Sequence, residues 1–161
     1  MPEFDRSGFL QAKLSARVRD VLVPELAEWF TGGDASAAHW TVRGLTANEL
    51  AKVNEAETRN RRESALVEAL ASGSRAEIVE EMQHALGRGK DTRPDLARRL
   101  EMLVHGAIEP TCDEELAVKL AEAFPTQFFQ LTNAILELTG RGSEAEKKPI
   151  DSGETQKSAP V

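Results

Sequence analysis

Glu81-x-x-His84 is the spacing in this chain that comes nearest to metal chemistry. A carboxylate and an imidazole three residues apart on a helix form half of a carboxylate-bridged two-metal motif. Such a site needs a second copy of the pair and further glutamates from facing helices. The nearest candidate, Glu101 with His105, has a spacing of four, so no metal centre is expected. Cys112 is the one thiol, and Asp113, Glu114 and Glu115 follow it directly. Their charge opposes a thiolate, which argues against a nucleophilic cysteine. His39, beside Trp40, has no acidic partner in the local sequence to orient its ring. Gly32-Gly33 and Gly87-Arg88-Gly89 lack the glycine and lysine spacings of phosphate-binding loops. With no tyrosine and two tryptophans, an aromatic platform for single-stranded nucleic acid is poorly supplied. No catalytic, cofactor or metal residue is assigned, and the expectation is a non-enzymatic binding protein.

Charge narrows the partners. The 161 residues carry 27 acidic and 20 basic side chains, a formal net charge of −7. That sign opposes a phosphate backbone, whose neutralisation drives non-specific nucleic-acid binding. The best basic run, Arg59-Asn60-Arg61-Arg62, reads as a solvated helix face. One cysteine forms no internal disulfide, which suits a reducing compartment. The start, Met-Pro-Glu-Phe-Asp-Arg, has neither the basic region nor the apolar core of a signal peptide. The longest uncharged run, between Glu122 and Glu137, is 14 residues and too short to span a bilayer. A soluble cytoplasmic protein is expected.

The elements that would position these residues are mostly helices. The first dozen residues show no clear period. Val21-Leu22-Val23 reads as a short strand that Pro24 ends or places at a sheet edge. Glu28-Trp29-Phe30 continues extended or begins a turn, and Thr31-Gly32-Gly33-Asp34 turns the chain. Trp40-Thr41-Val42 supplies a second strand, and Gly44 permits a change of direction. Thr46 with Glu49 forms a capping box that opens a helix to about Ala71. Leu50, Val53, Glu57, Asn60, Leu66, Val67 and Leu70 make its stripe, with the polar middle from Glu57 to Glu63 exposed or facing a partner. Ser74 with Glu77 caps a second helix toward Gly87. Thr92 with Asp95, and Pro94 in the first turn, opens a third that Gly106 closes. Thr111 with Glu114 caps a fourth, with acids where a helix amino terminus favours them. Pro125 interrupts it, and a last helix runs from Thr126 to Thr139-Gly140.

The fold class expected is therefore mainly α. A small antiparallel β pair at the N-terminus, with short strands within about 18–42, packs on a bundle of about five helices within 46–140. Residues 1–142 form one domain, and residues 143–161, with almost nothing apolar to bury, form a disordered tail. Leu116, Leu120 and Phe124 line one stripe of the fourth helix. Phe128, Leu131, Ile135 and Leu138 form the seam of the last, at spacings suited to packing against another helix. These seven residues are the candidates for partner binding, and the same spacing serves internal core equally well.

Several of these stretches resemble a known family. Val21-Leu-Val-Pro-Glu-Leu26 and Trp40-Thr-Val-Arg-Gly-Leu-Thr-Ala-Asn-Glu-Leu50 resemble the opening of tail assembly chaperones of long-tailed bacteriophages. Ala97 to Gly106, Leu116 to Pro125 and Phe128 to Gly140 are similar to the later helices of that group. The likeness covers about residues 18–142 and contains no catalytic motif. It implies a protein that binds the helical tape-measure protein, keeps it soluble, and helps bring tail-tube subunits onto it. Members often self-associate, act in the host cytoplasm and are absent from the mature virion. Many exist in a short form and a longer form made by a −1 ribosomal frameshift. Glu146-Lys147-Lys148 can be encoded as GAA-AAA-AAG, which contains a slippery heptamer in the correct phase, and other codons serve equally well. Two alternatives remain at this point. One is a structural virion protein of the neck or tail-completion type. The other is a small regulatory nucleic-acid binder using Arg59 to Arg62 and Arg98-Arg99.

Overall fold

The computed structural model of the chain describes residues 1–71 and 94–146, with side chains described for 1–62 and 95–146. The fold is mainly α with a small antiparallel sheet. In chain order the elements are α1 (Arg6–Gln11), β1 (Leu14–Ser15), β2 (Val18–Leu22), a 3-10 helix (Pro24–Trp29), β3 (His39–Arg43) and α2 (Ala47–Ala71). There follow α3 (Pro94–Gly106), β4 (Ala107–Glu109), α4 (Glu114–Ala123), α5 (Pro125–Gly140) and β5 (Glu144–Ala145). The helix expected from Ser74 to Gly87, the Glu81/His84 pair and the Thr92 cap lie outside the described residues.

The expected strand pair is present and carries a third member. β3 pairs antiparallel with β2, Val21 opposite Trp40, and on its other side with β4. Thr41 faces Glu109 while Val42 faces Ala107, so Ile108 is the extra residue of a bulge. β4 was not expected, because three residues following a helix-closing glycine are too few to show an alternating period. Pro24 ends β2 as anticipated, but Glu28-Trp29 are not extended. They belong to the 3-10 helix that Pro24 opens, its preset φ suiting a first helical position.

Capping follows the sequence in one helix and departs from it in another. At α2 the Thr46 N–H donates to Glu49 Oε2 at 2.9 Å and the Glu49 N–H to Thr46 Oγ1 at 3.3 Å. At α4 the cap is Asp113 rather than Thr111, its carboxylate accepting from the Leu116 N–H at 2.8 Å. Asp113 immediately precedes the first helical residue, where a side-chain oxygen reaches the orphan N–H groups best.

The core lies between the sheet and α5 and continues among α2, α3 and α4. Val21, Val23, Trp40 and Val42 meet Phe128, Leu131, Ile135 and Leu138, with Val53, Met102, Leu103 and Leu120 completing the cluster. Two glycines allow the close approaches. A Cβ on Gly44 would lie 3.0 Å from the Leu138 carbonyl carbon and 3.1 Å from the Thr139 nitrogen, so β3 leaves the sheet directly against the α5 backbone. A Cβ on Gly106 would meet Ile135 Cδ1 at 2.6 Å. The middle of α2 is not simply a solvated face. Asn60 is buried, and Arg59 reaches Glu101 of α3 at 3.8 Å.

The start of the expected tail is ordered. β5 pairs with β1, Leu14 opposite Ala145, and the Glu146 N–H donates to the Lys13 carbonyl at 2.9 Å. Arg17 and Glu144 add an ion pair at 3.0 Å. Residues 147–161 lie outside the described residues. Ahead of this strap stands α1, which carries no buried residue.

Candidate functional site

The seven partner-binding candidates separate into two groups. Phe128, Leu131 and Ile135 are wholly buried and Leu138 nearly so. The seam of α5 is thus the face that packs on the sheet, and it offers no surface in the folded protein. The α4 stripe differs. Leu116 is 37% exposed, Phe124 is half-buried and Leu120 is buried, and all three line an open groove of about 650 Å³.

Four pieces of chain build that groove. Pro24 turns the chain into the 3-10 helix, which brings Leu26, Trp29 and Phe30 to one wall. The start of β3 supplies His39, Trp40 and Thr41 as floor, and Glu109 at the end of β4 closes one side with Pro110. α4 forms the opposite wall, with Lys119 beside its apolar stripe. Trp29 is 63% exposed and meets Phe124 edge-on, ring centroids 5.3 Å apart. This geometry favours aromatic pairs beyond their area alone. Trp29, Leu116 and Phe124 together leave an apolar patch partly open to water. The Trp40 indole N–H is buried and has no acceptor among the described residues. Such a group costs about 1–3 kcal/mol.

Sequence reasoning found one wall of this groove, through the period of α4, and missed the other. Trp29 and Phe30 carried a usable signal, two adjacent aromatics before a glycine turn. The sequence left Glu28-Trp29-Phe30 as extended chain or the start of a turn, and neither reading sets Trp29 and Phe30 on one wall.

The other candidates occupy ordinary surroundings. Cys112 is buried, and burial first, with the Asp113 charge second, pushes its thiol up to about 12. His39 is exposed, its Nδ1 at 3.1 Å from the Ala37 carbonyl. Glu101 Oε2 and His105 Nε2 are 3.5 Å apart within α3, and among the described residues no cluster of three metal-ligating side chains forms. The basic residues considered for nucleic acid are largely occupied. Arg61 pairs with Glu57 at 2.7 Å. Arg99 donates to Thr132 Oγ1 and Asn133 Oδ1 at 2.8 and 2.9 Å and lies over the Phe129 ring. Among the described residues no helix is long and apolar enough to cross a membrane.

Compared with known proteins, the chain matches no family model, no curated protein and no solved structure. The groove is an apolar trough edged by Lys119, Glu109 and His39.

Proposed function

We propose that this protein is a tail assembly chaperone of a long-tailed bacteriophage. It acts without catalysis by holding an apolar face of the tape-measure protein in the host cytoplasm until tail-tube subunits replace it. The observation that carries this reading is the uncovered groove between the 3-10 helix and α4. It exposes Trp29 and Leu116 beside Phe124 on a domain whose remaining seam is core. Helix-in-groove recognition needs an apolar trough that accepts residues spaced along one helical face, and polar margins that keep the complex soluble. An acidic chaperone with net charge −7 also keeps an aggregation-prone client apart from other copies by like-charge repulsion.

The place of Glu146-Lys147-Lys148, which a slippery heptamer could encode, suits the same reading. Glu146 is the residue at which β5 hands over to the remaining chain. A frameshift there would exchange the C-terminal extension for a longer one and leave every described element intact.

The test is co-expression with the tape-measure protein encoded beside this gene. A soluble complex is expected, and Leu116→Glu should abolish it while leaving the chaperone folded. A tape-measure protein that aggregates equally with and without this chain defeats the proposal. Mass spectrometry of purified particles separates the chaperone from a resident tail component, since a chaperone leaves no peptides there.

A further inference from the structure

The larger sheet has the order β2–β3–β4, so β2 has a neighbouring strand on one side only. The register fixes which of its backbone groups that neighbour uses. The Gly44 N–H donates to the Arg17 carbonyl at 2.9 Å and the Val23 N–H to the Ala38 carbonyl at 2.8 Å. With Val21 opposite Trp40 in the same register, Arg19, Val21 and Val23 turn their N–H and C=O groups toward β3. Val18, Asp20 and Leu22 therefore turn theirs to the outer edge. Among the described residues this row accepts one side-chain hydrogen bond, from Gln130 Nε2 to the Leu22 carbonyl at 3.4 Å, which is long. The opposite edge of the sheet is closed to pairing. β4 has three residues, carries the Ile108 bulge and runs into Pro110, devices that discourage a further strand. β2 runs from Val18 to Leu22 without bulge or proline.

We propose that the free edge of β2 takes an extended strand of another protein, apolar at two alternate positions with a lysine or arginine between them. The row of backbone donors and acceptors selects an extended chain, since a helix has already paired its own. Side chains select the sequence. On the outer face of the sheet Val18 and Leu22, 53% and 43% exposed, flank Asp20. Alternate residues of an incoming strand lie over this face, so apolar ones cover Val18 and Leu22 while a cation meets Asp20. Asp20 accepts the Thr41 hydroxyl on Oδ1 at 2.6 Å, and its Oδ2 has no hydrogen bond among the described residues. The other face of the strand borders a cleft of about 410 Å³ between β2 and α5, lined by Arg19, Gln130, Asn133 and Glu137. Arg19 and Glu137 neutralise each other there at 2.8 Å. The Asp20 carboxylate thus sets the charge that the edge asks of its partner, and polar uncharged residues suit the cleft side.

This edge is a different surface from the groove, and the inference does not depend on the client proposed there. The probe is a seven-residue peptide, blocked at both ends, with valine, lysine and valine at alternate positions and serine or threonine elsewhere. Amide hydrogen exchange on the full chain, read by NMR, locates its binding. In the free protein the Val18, Asp20 and Leu22 amides should exchange at least about tenfold faster than those of Arg19, Val21 and Val23. Saturation with the peptide should slow the first three by a similar factor. The same peptide N-methylated throughout should bind about tenfold more weakly or worse, because its backbone donors are gone. Asp20→Lys should weaken the unmethylated peptide by about fivefold. Val18→Pro removes an outward N–H at the first residue of the strand, where proline is tolerated, so it should lose the peptide and keep its thermal midpoint. Slow exchange of the outer row in the free, dilute protein overturns the inference. So does a peptide that leaves those three amides unprotected, or an N-methylated peptide that binds equally well. Protection that develops as the protein alone is concentrated puts a second copy on the edge and overturns the assignment to another protein. None of these outcomes bears on whether the groove holds a client.

Discussion

Arg43, at the end of β3, and Glu49, in the first turn of α2, hold each other through two parallel hydrogen bonds. Nη2 lies 2.6 Å from Oε1 and Nη1 2.9 Å from Oε2. The same Glu49 carboxylate accepts the Thr46 N–H, so one side chain both caps the helix and fixes its angle to the sheet. Neither partner is more than about a quarter exposed, which makes the pair worth more than a surface ion pair.

That pair makes stability depend on acid. The Arg43 hydrogen bonds hold the Glu49 carboxyl well below the usual glutamate range, at about 2, against an opposing desolvation. A carboxyl whose folded pKa is depressed contributes stability that is present above its unfolded value of about 4.3 and lost as pH falls through the folded value. Stability should fall between about pH 5 and pH 2, by up to a few kcal/mol for this group. Glu49→Gln keeps the cap acceptor and removes the charge, so it should flatten this slope. Asp34, held low by Ser36, adds to the acid loss in the same direction and leaves a residual slope. Urea midpoints taken across pH for both proteins check the sign. An unchanged slope in the variant would remove Glu49 as the cause.

Gly44 and Gly106 should resist substitution for different reasons. Gly44→Ala presses a methyl against the α5 backbone at Leu138–Thr139, where a helix cannot easily move aside. A cost of about 1–3 kcal/mol is expected. Gly106→Ala meets the side chain of Ile135 instead, so shortening that side chain should help. Ile135→Val removes the Cδ1 atom at 2.6 Å and should recover part of the loss. The double variant would then be less destabilised than the sum of the two singles. Chemical denaturation of the four proteins measures it.

The Cys112 thiol should be inert in the folded protein. With its pKa pushed up to about 12 by burial, it carries almost no thiolate at pH 8. A disulfide reagent should react with it only on unfolding, at a rate that follows denaturant concentration. Fast reaction under native conditions would mean that the α4 amino terminus opens readily.

Phe128 and Leu116, both partner candidates from their spacing alone, should fail in opposite ways. Phe128→Ala opens a cavity in the core and should cost about 3–5 kcal/mol. Leu116→Glu alters an exposed position and should leave stability within about 0.5 kcal/mol, while abolishing whatever the groove holds. Thermal melts and a binding assay on the same two variants separate core from surface.

Local chemistry was enough to place much of this fold. Thr46 with Glu49 marks the start of α2, because the capping box is a contact between near neighbours in sequence. Pro125 marks the break between α4 and α5, because its ring cannot continue the preceding helix, and α5 begins at that proline, one residue before the Thr126 expected. The β2–β3 pair is legible from β-branched and aromatic runs on either side of a glycine turn. Apolar periods marked Leu116, Leu120 and Phe124 in the same way as Phe128, Leu131, Ile135 and Leu138. A period says which residues share a face and nothing about what covers that face.

Tertiary structure decided the rest, since each missing fact joins residues far apart in the chain. α5 lays its whole seam on the sheet, and α4 leaves part of its stripe beside a 3-10 helix some ninety residues earlier (Trp29 against Phe124). β4 exists because β3 offers it a free edge, and β5 because β1 does. Gly44 looks like a hinge in sequence, yet what it needs is room for the α5 backbone. The groove belongs to this second class. Its walls come from four separate segments, and only the packing that buries Phe128 leaves Trp29 and Leu116 facing water.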